Sequence, residues 1–212
     1  MQLDLELYRE EAQVEPDVQI SYIRIAPERP LHTILFIHGF GGRARQWRYQ
    51  IEQFAVHNEV IAIDLRGHGS SSRPGHGYEM DRLLADIMAV LRHCDVNRPF
   101  VLLGHSYGVA IATELAWRYP ERVSRLILIA GAGEYSILPV YRIMFRLPEV
   151  LLRLLQPVAN RVMDASLYAL QELYLRNMRH WRGWDKFPDL KPPTMVILGN
   201  RDSVLPQSAF ER

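Results

Sequence analysis

The sequence predicts an α/β fold, with a mostly parallel sheet flanked by helices, from two observations. The first is a set of short apolar runs, and the second is the helical pattern that separates them. The runs are TILFIHG (33–39), EVIAIDL (59–65), FVLLGHS (100–106), RLILIAG (125–131) and TMVILGN (194–200). Runs rich in Val, Ile and Leu are typical of strands that are buried on both faces. Because helical segments alternate with these strands, parallel βα units are expected.

Two further strands are predicted before the first of these runs. LDLELY (3–8) and VQISYIRIA (18–26) alternate apolar and polar residues, which is typical of antiparallel strands with one face in water. The predicted helix that begins at Tyr107 is expected to end at Tyr119, because a residue before proline disfavours the helical conformation. The predicted helices cover residues 46–56, 80–92 and 107–118.

A long segment without strand signals interrupts this alternation. Residues 134–190 carry short apolar helical patterns, with breaks predicted at Pro139, Pro148 and Pro157. Because the segment is longer than a simple connection, we expect a helical cap inserted into the sheet domain. The predicted sheet core then comprises residues 1–133 and 191–212, and the predicted cap comprises residues 134–190.

The composition excludes several classes of function. The 212 residues carry a formal net charge of +1, so a basic surface for nucleic acid is not expected. No uninterrupted apolar run reaches the roughly 18 residues that a membrane span needs. The acidic, polar amino terminus lacks a signal-peptide pattern, and the single cysteine, Cys94, fits a reducing compartment. A cytoplasmic location is therefore predicted.

The motif GHSYG (104–108) indicates chemistry. It matches G-x-S-x-G and falls between a predicted strand and a predicted helix. Small residues two positions on either side of Ser106 allow a sharp turn that lifts the hydroxyl above the carboxyl edge of the sheet. The turn also places Ser106 at the positive end of a helix, where developing negative charge is stabilised. Ser106 is therefore the predicted nucleophile.

Together with two other loops, this motif resembles the α/β-hydrolase fold family, in its serine esterase and lipase-like branch. HGFGG (38–42) and DLRGHGSSS (64–72), which follow the third and fourth predicted strands, are similar to loops of that family. The resemblance implies an oxyanion hole formed by the N–H groups of Phe40 and Tyr107. It also implies that His38 and His68 support loops rather than catalyse. The predicted substrate contacts in these loops are Gly39, Gly41 and His105.

The acid of a catalytic triad is predicted at Asp202. The stretch TMVILGNRD (194–202) predicts a strand, a turn and then Asp202, similar to the family's G-x-x-D after its seventh strand. Glu134, just past the sixth strand of the family fold, is the alternative. The family's chain order is serine, acid, histidine. No histidine follows Asp202, and the last one is His180, inside the predicted cap.

Three explanations of the missing histidine stay open. The favoured one is that the chain is a piece of a longer hydrolase and lacks the last strand and helix of the fold. The second is that His180 or another histidine substitutes. The third is a noncatalytic relative that binds a ligand or a partner. For the chain as given, very low or no turnover is expected.

The predicted reaction is hydrolysis of a carboxylic ester through an acyl-enzyme, with carbon–carbon bond hydrolysis as the rival in the same fold. Serine at position 106 argues against the family's epoxide hydrolases, which use aspartate there. The apolar cap favours a small apolar or lipid-like ester, with Tyr141 and Phe145 in the roof of the pocket. Residues 138–182 carry seven arginines and three acidic residues, which also allows a weak contact of the cap with a membrane surface. No cofactor and no metal are predicted, and the oligomeric state is left open.

Overall fold

Seven strands form one sheet in the computed structural model, which describes residues 3–135 and 139–202. The sheet order is β1-β2-β4-β3-β5-β6-β7, and β1 and β2 run antiparallel to their neighbours while the other pairs are parallel. The strands are β1 (Arg9–Glu15), β2 (Val18–Ile25), β3 (Thr33–Ile37), β4 (Glu59–Ile63), β5 (Phe100–His105), β6 (Val123–Ile129) and β7 (Thr194–Ile197). The predicted α/β class is confirmed.

The helices follow the strands in the alternation that the apolar runs predicted. Three of them connect strands of the parallel part, and three more lie between β6 and β7, where residues 134–190 were predicted to be helical. A π-helical turn at Tyr174–Met178 continues the last of these. The α-helices of the described residues are α1 (Arg48–Phe54), α2 (Met80–His93), α3 (Gly108–Arg118), α4 (Pro139–Met144), α5 (Glu149–Ala159) and α6 (Leu167–Leu173).

The central strands β3 and β4 are buried on both faces, as their continuous apolar runs require. The burial predicted for the run TMVILGN (194–200) is wrong, because β7 is an edge strand that joins no core cluster of the described residues and all four of its residues are exposed. Along β3, Leu35 and Ile37 belong to one core cluster, with Leu115 of α3. Ile34 and Phe36 belong to another, together with Ile51 of α1. Successive side chains of a strand point to opposite faces, so an apolar residue is needed at every position. Helices thus cover the two faces of these strands, and the loops of the site begin at the carboxyl ends of the strands.

The first strand differs from the prediction. Residues 3–8 were expected to form it, but Leu5–Tyr8 is a 3-10 helix and β1 begins at Arg9. The Asp4 carboxylate accepts a hydrogen bond from the N–H of Glu6 at 3.2 Å and stabilises the turn. Local capping of this kind competes with strand pairing. The alternation of leucines over residues 3–8 was therefore misleading.

The break predicted at Pro157 is also wrong, because Pro157 lies inside α5. Pro139 and Pro148 do mark helix starts, as the first residue of α4 and the N-cap of α5. A proline in the last turn removes one hydrogen bond, to the carbonyl of the residue four positions earlier, here Arg153. Both Pro157 and Arg153 are exposed, so water can bind that carbonyl and the helix continues.

No helix in residues 3–135 and 139–202 has the length and apolar character that crossing a membrane requires.

Candidate active site

Ser106 lies on a strained turn between β5 and α3. Its φ of +52° is in the left-handed region, which a residue other than glycine rarely adopts. A Cβ on Gly104 would lie 2.4 Å from the carbonyl oxygen of Gly108, and a Cβ on Gly108 would lie 2.6 Å from that of His38. Gly104 is therefore needed for β5 and α3 to approach this closely, and Gly108 is needed for α3 to approach the end of β3. The turn leaves the Ser106 side chain partly exposed at the carboxyl edge of the sheet.

The backbone of Ser106 is held by three hydrogen bonds. Its N–H donates to the carbonyl of Ile129, at the end of β6, at 2.9 Å. Its carbonyl accepts from the N–H of Val109 at 2.9 Å and from the hydroxyl of Tyr135 at 2.7 Å. These partners lie in β6, in the loop after β6 and in α3, so they fix the strained turn from both sides.

The loop at residues 38–42 lies against the turn. A Cβ on Gly39 would be 3.0 Å from the Cβ of Ser106, so glycine permits the contact. Gly41 has a φ of +73°, and the N–H of Gly42 donates to the carbonyl of Gly39 at 3.0 Å. Within the described residues, the N–H groups of Phe40 and Tyr107 have no hydrogen-bond acceptor. The rings of these two residues lie edge to face, with centroids 6.2 Å apart.

His38 and His68 are occupied by the backbone. Nδ1 of His38 faces the carbonyl of Gly39 at 2.8 Å and must donate to it, while Nε2 accepts from the N–H of Leu65 at 3.0 Å. Nδ1 of His68 likewise donates to the carbonyl of Arg66 at 3.0 Å, and Nε2 accepts from the N–H of Gly41 at 3.3 Å. Each ring therefore connects the 38–42 and 64–72 loops, and neither has a free nitrogen for Ser106.

Burial keeps both imidazoles neutral. Loss of hydration lowers the pKa of His38 to about 4 and that of His68 to about 3. Their ring centroids are 4.9 Å apart, so a charge on one further disfavours a charge on the other. Neutral rings are what the bonding requires, because each Nε2 must accept a hydrogen bond.

Asp64 connects the 64–72 loop to the 3-10 helix Ala44–Trp47, which follows the 38–42 loop. Its carboxylate is fully buried and accepts hydrogen bonds from the N–H of Ala44 at 2.6 Å and the N–H of Ser70 at 3.0 Å. Arg9 of β1 completes the set at 2.8 Å and supplies the compensating charge. A buried carboxylate needs such partners. The aspartate of the DLRGHG stretch is thus structural.

His105 precedes the nucleophile but is bonded to a different neighbour. Its Nδ1 lies 3.2 Å from Nε2 of Gln46, and its ring contacts Trp47 edge to face at 6.1 Å. Burial lowers the pKa of His105, and the charge of Asp202 acts in the opposite direction. Gln46 was not predicted as part of the site, and its bond to His105 had no signal in the sequence beyond its position after HGFGG.

Both candidate acids follow neighbouring strands. Asp202 comes after β7, is half-buried, and donates its N–H to the carbonyl of Gly199 at 3.2 Å. Glu134 comes after β6 and forms an ion pair with Arg182 at 3.6 Å. His180 is exposed in the helical segment and shares a cavity of about 520 Å³ with Arg142, among other residues. Among the described residues, no histidine forms a hydrogen bond with the Ser106 hydroxyl.

The helical segment 139–190 packs on the loops of the site. Phe145 is buried and its ring lies 6.0 Å from that of Phe40. Asp164 donates its N–H to the carbonyl of Gly41 at 3.0 Å, and its own carbonyl accepts from the N–H of Gly69 at 2.6 Å. Tyr141, the other predicted roof residue, is half-buried and its ring stacks on Phe145 at 6.4 Å.

One group of side chains has metal-ligand spacing among the described residues. Ligand atoms of Glu15, Asp17 and His76 lie within 4.8 Å of one another. However, the Glu15 carboxylate is already paired with Arg66 at 2.8 Å and Arg82 at 3.1 Å. These cations satisfy the carboxylate without a metal ion.

Comparisons with known proteins identify the family of the chain. A family model described as the alpha/beta hydrolase fold matches residues 32–179. Protein ABHD8 of Homo sapiens is 29% identical over 205 residues, which cover 85% of this chain and 46% of ABHD8. Epoxide hydrolase 4 of Mus musculus is 40% identical over 106 residues, covering 49% of this chain and 29% of that protein. The chain thus spans less than half the length of these curated relatives.

A similar solved structure covers nearly the whole chain. An esterase from Exiguobacterium antarcticum superimposes with a TM-score of 0.77 and is 21% identical. The match covers 94% of this chain and 84% of the esterase. At this identity the likeness concerns the fold.

Proposed function

The chain belongs to the α/β hydrolase fold family, and we propose that it is a serine hydrolase of carboxylic esters that works through an acyl-enzyme. Ser106 is the nucleophile, and the N–H groups of Phe40 and Tyr107 bind the oxyanion. Asp202 orients the histidine that takes the serine proton. The observation that carries this proposal is the left-handed φ of Ser106 beside two N–H groups that lack an acceptor among the described residues.

The strained turn supports a chemical role for Ser106. A serine at φ +52° costs free energy, and such strain is found where the surrounding structure enforces it for function. The turn is enforced here by the close contacts at Gly104 and Gly108 and by the hydrogen bond from Tyr135. A hydroxyl that merely closed a surface loop would not need such enforcement.

The two N–H groups supply the electrostatic part of the reaction. When the Ser106 oxygen attacks an ester carbonyl, its proton passes to the histidine and the carbonyl oxygen becomes an oxyanion. Donors fixed in advance stabilise that charge better than water does, because they need no reorganisation. The intermediate then collapses, the C–O bond to the alcohol breaks and the alcohol takes the proton from histidine. Water releases the acyl group by the same steps.

The histidine is the residue that the described part of the chain does not supply. His38 and His68 have both ring nitrogens engaged, and His105 is bonded to Gln46. We therefore propose that the base comes from a part of the protein outside the described residues. His180 is the alternative. Replacement of His180 by alanine separates the two, because this substitution would abolish turnover only if His180 is the catalytic base.

Serine argues against the activity named for one relative. Epoxide hydrolase 4 matches half of this chain, but the family's epoxide hydrolases use an aspartate carboxylate as the nucleophile. An ester substrate is also consistent with the aromatic cluster of Phe40, Phe145 and Tyr141, which reaches the turn through the contact of Phe40 with Tyr107. Apolar surface of this kind suits an apolar acyl or alcohol group.

A fluorophosphonate probe tests the proposal. With protein expressed from the complete gene, we expect phosphonylation at Ser106, loss of the reaction in Ser106→Ala, and full reaction in Ser70→Ala. Ser70 is an exposed serine of the 64–72 loop and serves as the matched control. Hydrolysis of 4-nitrophenyl butyrate is expected to follow the same pattern. A folded protein that neither reacts with the probe nor cleaves the ester would instead be a binding protein on this fold.

A further inference from the structure

The side of α5 that faces solvent is apolar. Leu152 is buried against the neighbouring helices, whereas Val150, Leu154 and Val158 are 69%, 71% and 63% exposed. These three residues are four positions apart and so lie on one side of the helix. A surface helix ordinarily turns polar side chains to water. The exposed side of α5 therefore needs an explanation other than packing within the described residues.

The exposed apolar surface extends to the elements beside α5. Tyr141 and Met144 of α4 pack in the same cluster as Leu152 of α5, so the two helices are neighbours. Other side chains of α4 and the residue Val162, just after α5, are exposed. We define the apolar face as Val140, Ile143, Val150, Leu151, Leu154, Leu155, Val158 and Val162.

Positive charge surrounds the apolar face. Residues 139–162 contain four arginines and a single acidic residue, Glu149. Glu149 is paired with Arg153, at the edge of the face. Arg146 and Arg161 are exposed and have no acidic partner among the described residues. An apolar strip bordered by guanidinium groups combines the two features that bind a helix into the interface of an anionic bilayer.

We propose that the apolar face is a membrane-docking surface that binds bilayers with anionic headgroups. The aliphatic side chains enter the boundary between headgroups and acyl chains, and the arginines bind lipid phosphates. A second copy of the chain is a poorer occupant, because pairing two such faces would bring the arginines of both copies together. This docking does not depend on the chemistry of Ser106.

Cosedimentation with lipid vesicles tests the proposal. The Ser106→Ala protein is used throughout, so that lipid hydrolysis cannot affect the result and failure of the proposed function leaves the test intact. Binding is compared between phosphatidylcholine vesicles and vesicles that also contain phosphatidylglycerol. We expect clear binding only to the second kind, and weaker binding at high salt because surface charges are then screened.

Two pairs of variants separate the apolar and the charged contributions. Leu154→Ser with Val158→Ser is expected to weaken binding by about tenfold or more. Its matched control is Leu31→Ser with Val56→Ser, whose side chains are 69% and 61% exposed outside the apolar face. Arg146→Gln with Arg161→Gln is expected to weaken binding by about tenfold as well. Its control is Arg29→Gln with Arg98→Gln, two exposed arginines elsewhere.

The controls are expected to bind as the parent protein does, and circular dichroism checks that every variant folds. Equal binding by the Leu154 and Val158 variant would overturn the proposal. Equal losses in the controls would overturn it too, since general charge or hydrophobicity would then explain binding. The parent protein could instead form a dimer and bind no vesicles. If the Leu154 and Val158 substitutions dissociate that dimer, the occupant of the apolar face is a second copy.

Discussion

The Tyr135 hydroxyl donates a 2.7 Å hydrogen bond to the backbone carbonyl of Ser106. Tyr135 follows β6, whereas Ser106 follows β5, so the bond joins adjacent strand ends at the sheet's carboxyl edge. It holds the strained turn without touching the serine side chain. Edge-to-face packing with Tyr107 at 6.0 Å fixes the Tyr135 ring in place. Tyr135 thus positions the nucleophile.

Replacement of Tyr135 by phenylalanine removes only this hydroxyl. The Ser106 carbonyl keeps its bond from Val109, so we expect a modest loss of stability, about 0.5–1.5 kcal/mol. Urea denaturation measures it. Reaction of Ser106 with a fluorophosphonate should also slow, because the turn is held less firmly. Tyr49→Phe is the matched control, since Tyr49 is 75% exposed and lies outside the proposed site, and an equal effect there would show that the Tyr135 bond has no special role.

The two glycines that flank Ser106 predict a larger effect. A methyl group added at Gly108 would lie 2.6 Å from the carbonyl oxygens of Ile37 and His38, and backbone atoms cannot move aside cheaply. We expect Gly108→Ala to destabilise the fold by about 1–3 kcal/mol through overpacking. The comparison is Gly75→Ala, since nothing lies within 4 Å of a Cβ there. Thermal unfolding of the two variants provides the measurement, and a Gly108→Ala protein as stable as Gly75→Ala would contradict the steric reading of the motif.

The sequence predicted local structure only where the backbone geometry requires a particular residue type. Glycines around a serine between a strand and a helix allow few backbone paths, so the turn at Ser106 was predictable from five letters. The buried parallel strands were predictable for the same kind of reason, because both faces need apolar residues. Short capped turns such as Leu5–Tyr8 were not, since capping by Asp4 depends on one hydrogen bond.

Contacts between distant segments were the part that the sequence could not provide. Tyr135 and Ser106 are 29 residues apart, and Gln46 and His105 are 59 apart. Nothing in either local pattern requires the pairing, which arises only when strand order brings loops together. The solvent exposure of α5 could not be predicted from the sequence either. Its apolar residues are typical of a helix packed on a core, and only the structure shows that several of them are exposed.

The buried histidines predict how stability depends on pH. In the unfolded chain an imidazole has a pKa of about 6.5, whereas in the fold the pKa is about 4 for His38 and about 3 for His68. Between these values the unfolded state binds protons that the folded state excludes. Their stabilisation is therefore fully present above about pH 6.5 and is lost as the pH falls, by up to about 1.4 kcal/mol per pH unit for each histidine.

Urea denaturation between about pH 7.5 and about pH 5 checks this dependence. His68→Gln should lower stability at the upper pH, because the bond from Gly41 changes, and should flatten the decline toward the lower pH. His57→Gln is the control, since His57 is exposed. The stability of this variant should still fall steeply as the pH is lowered. A His68→Gln protein with an unchanged slope would mean that His68 is not held neutral in the fold.

Asp202 and Glu134 give the proposed triad its sharpest test, because both follow strands at the same edge and differ in their partners. Glu134 is paired with Arg182, whereas the charge of Asp202 acts toward the site, on His105. In protein expressed from the complete gene, Asp202→Asn should lower kcat/KM for 4-nitrophenyl butyrate by about 10⁴-fold, as expected when a triad histidine loses its orienting carboxylate. Glu134→Gln should stay within a few-fold of the parent. The opposite ranking would identify Glu134 as the acid. Activity equal to that of the parent in both variants would exclude both carboxylates from the mechanism.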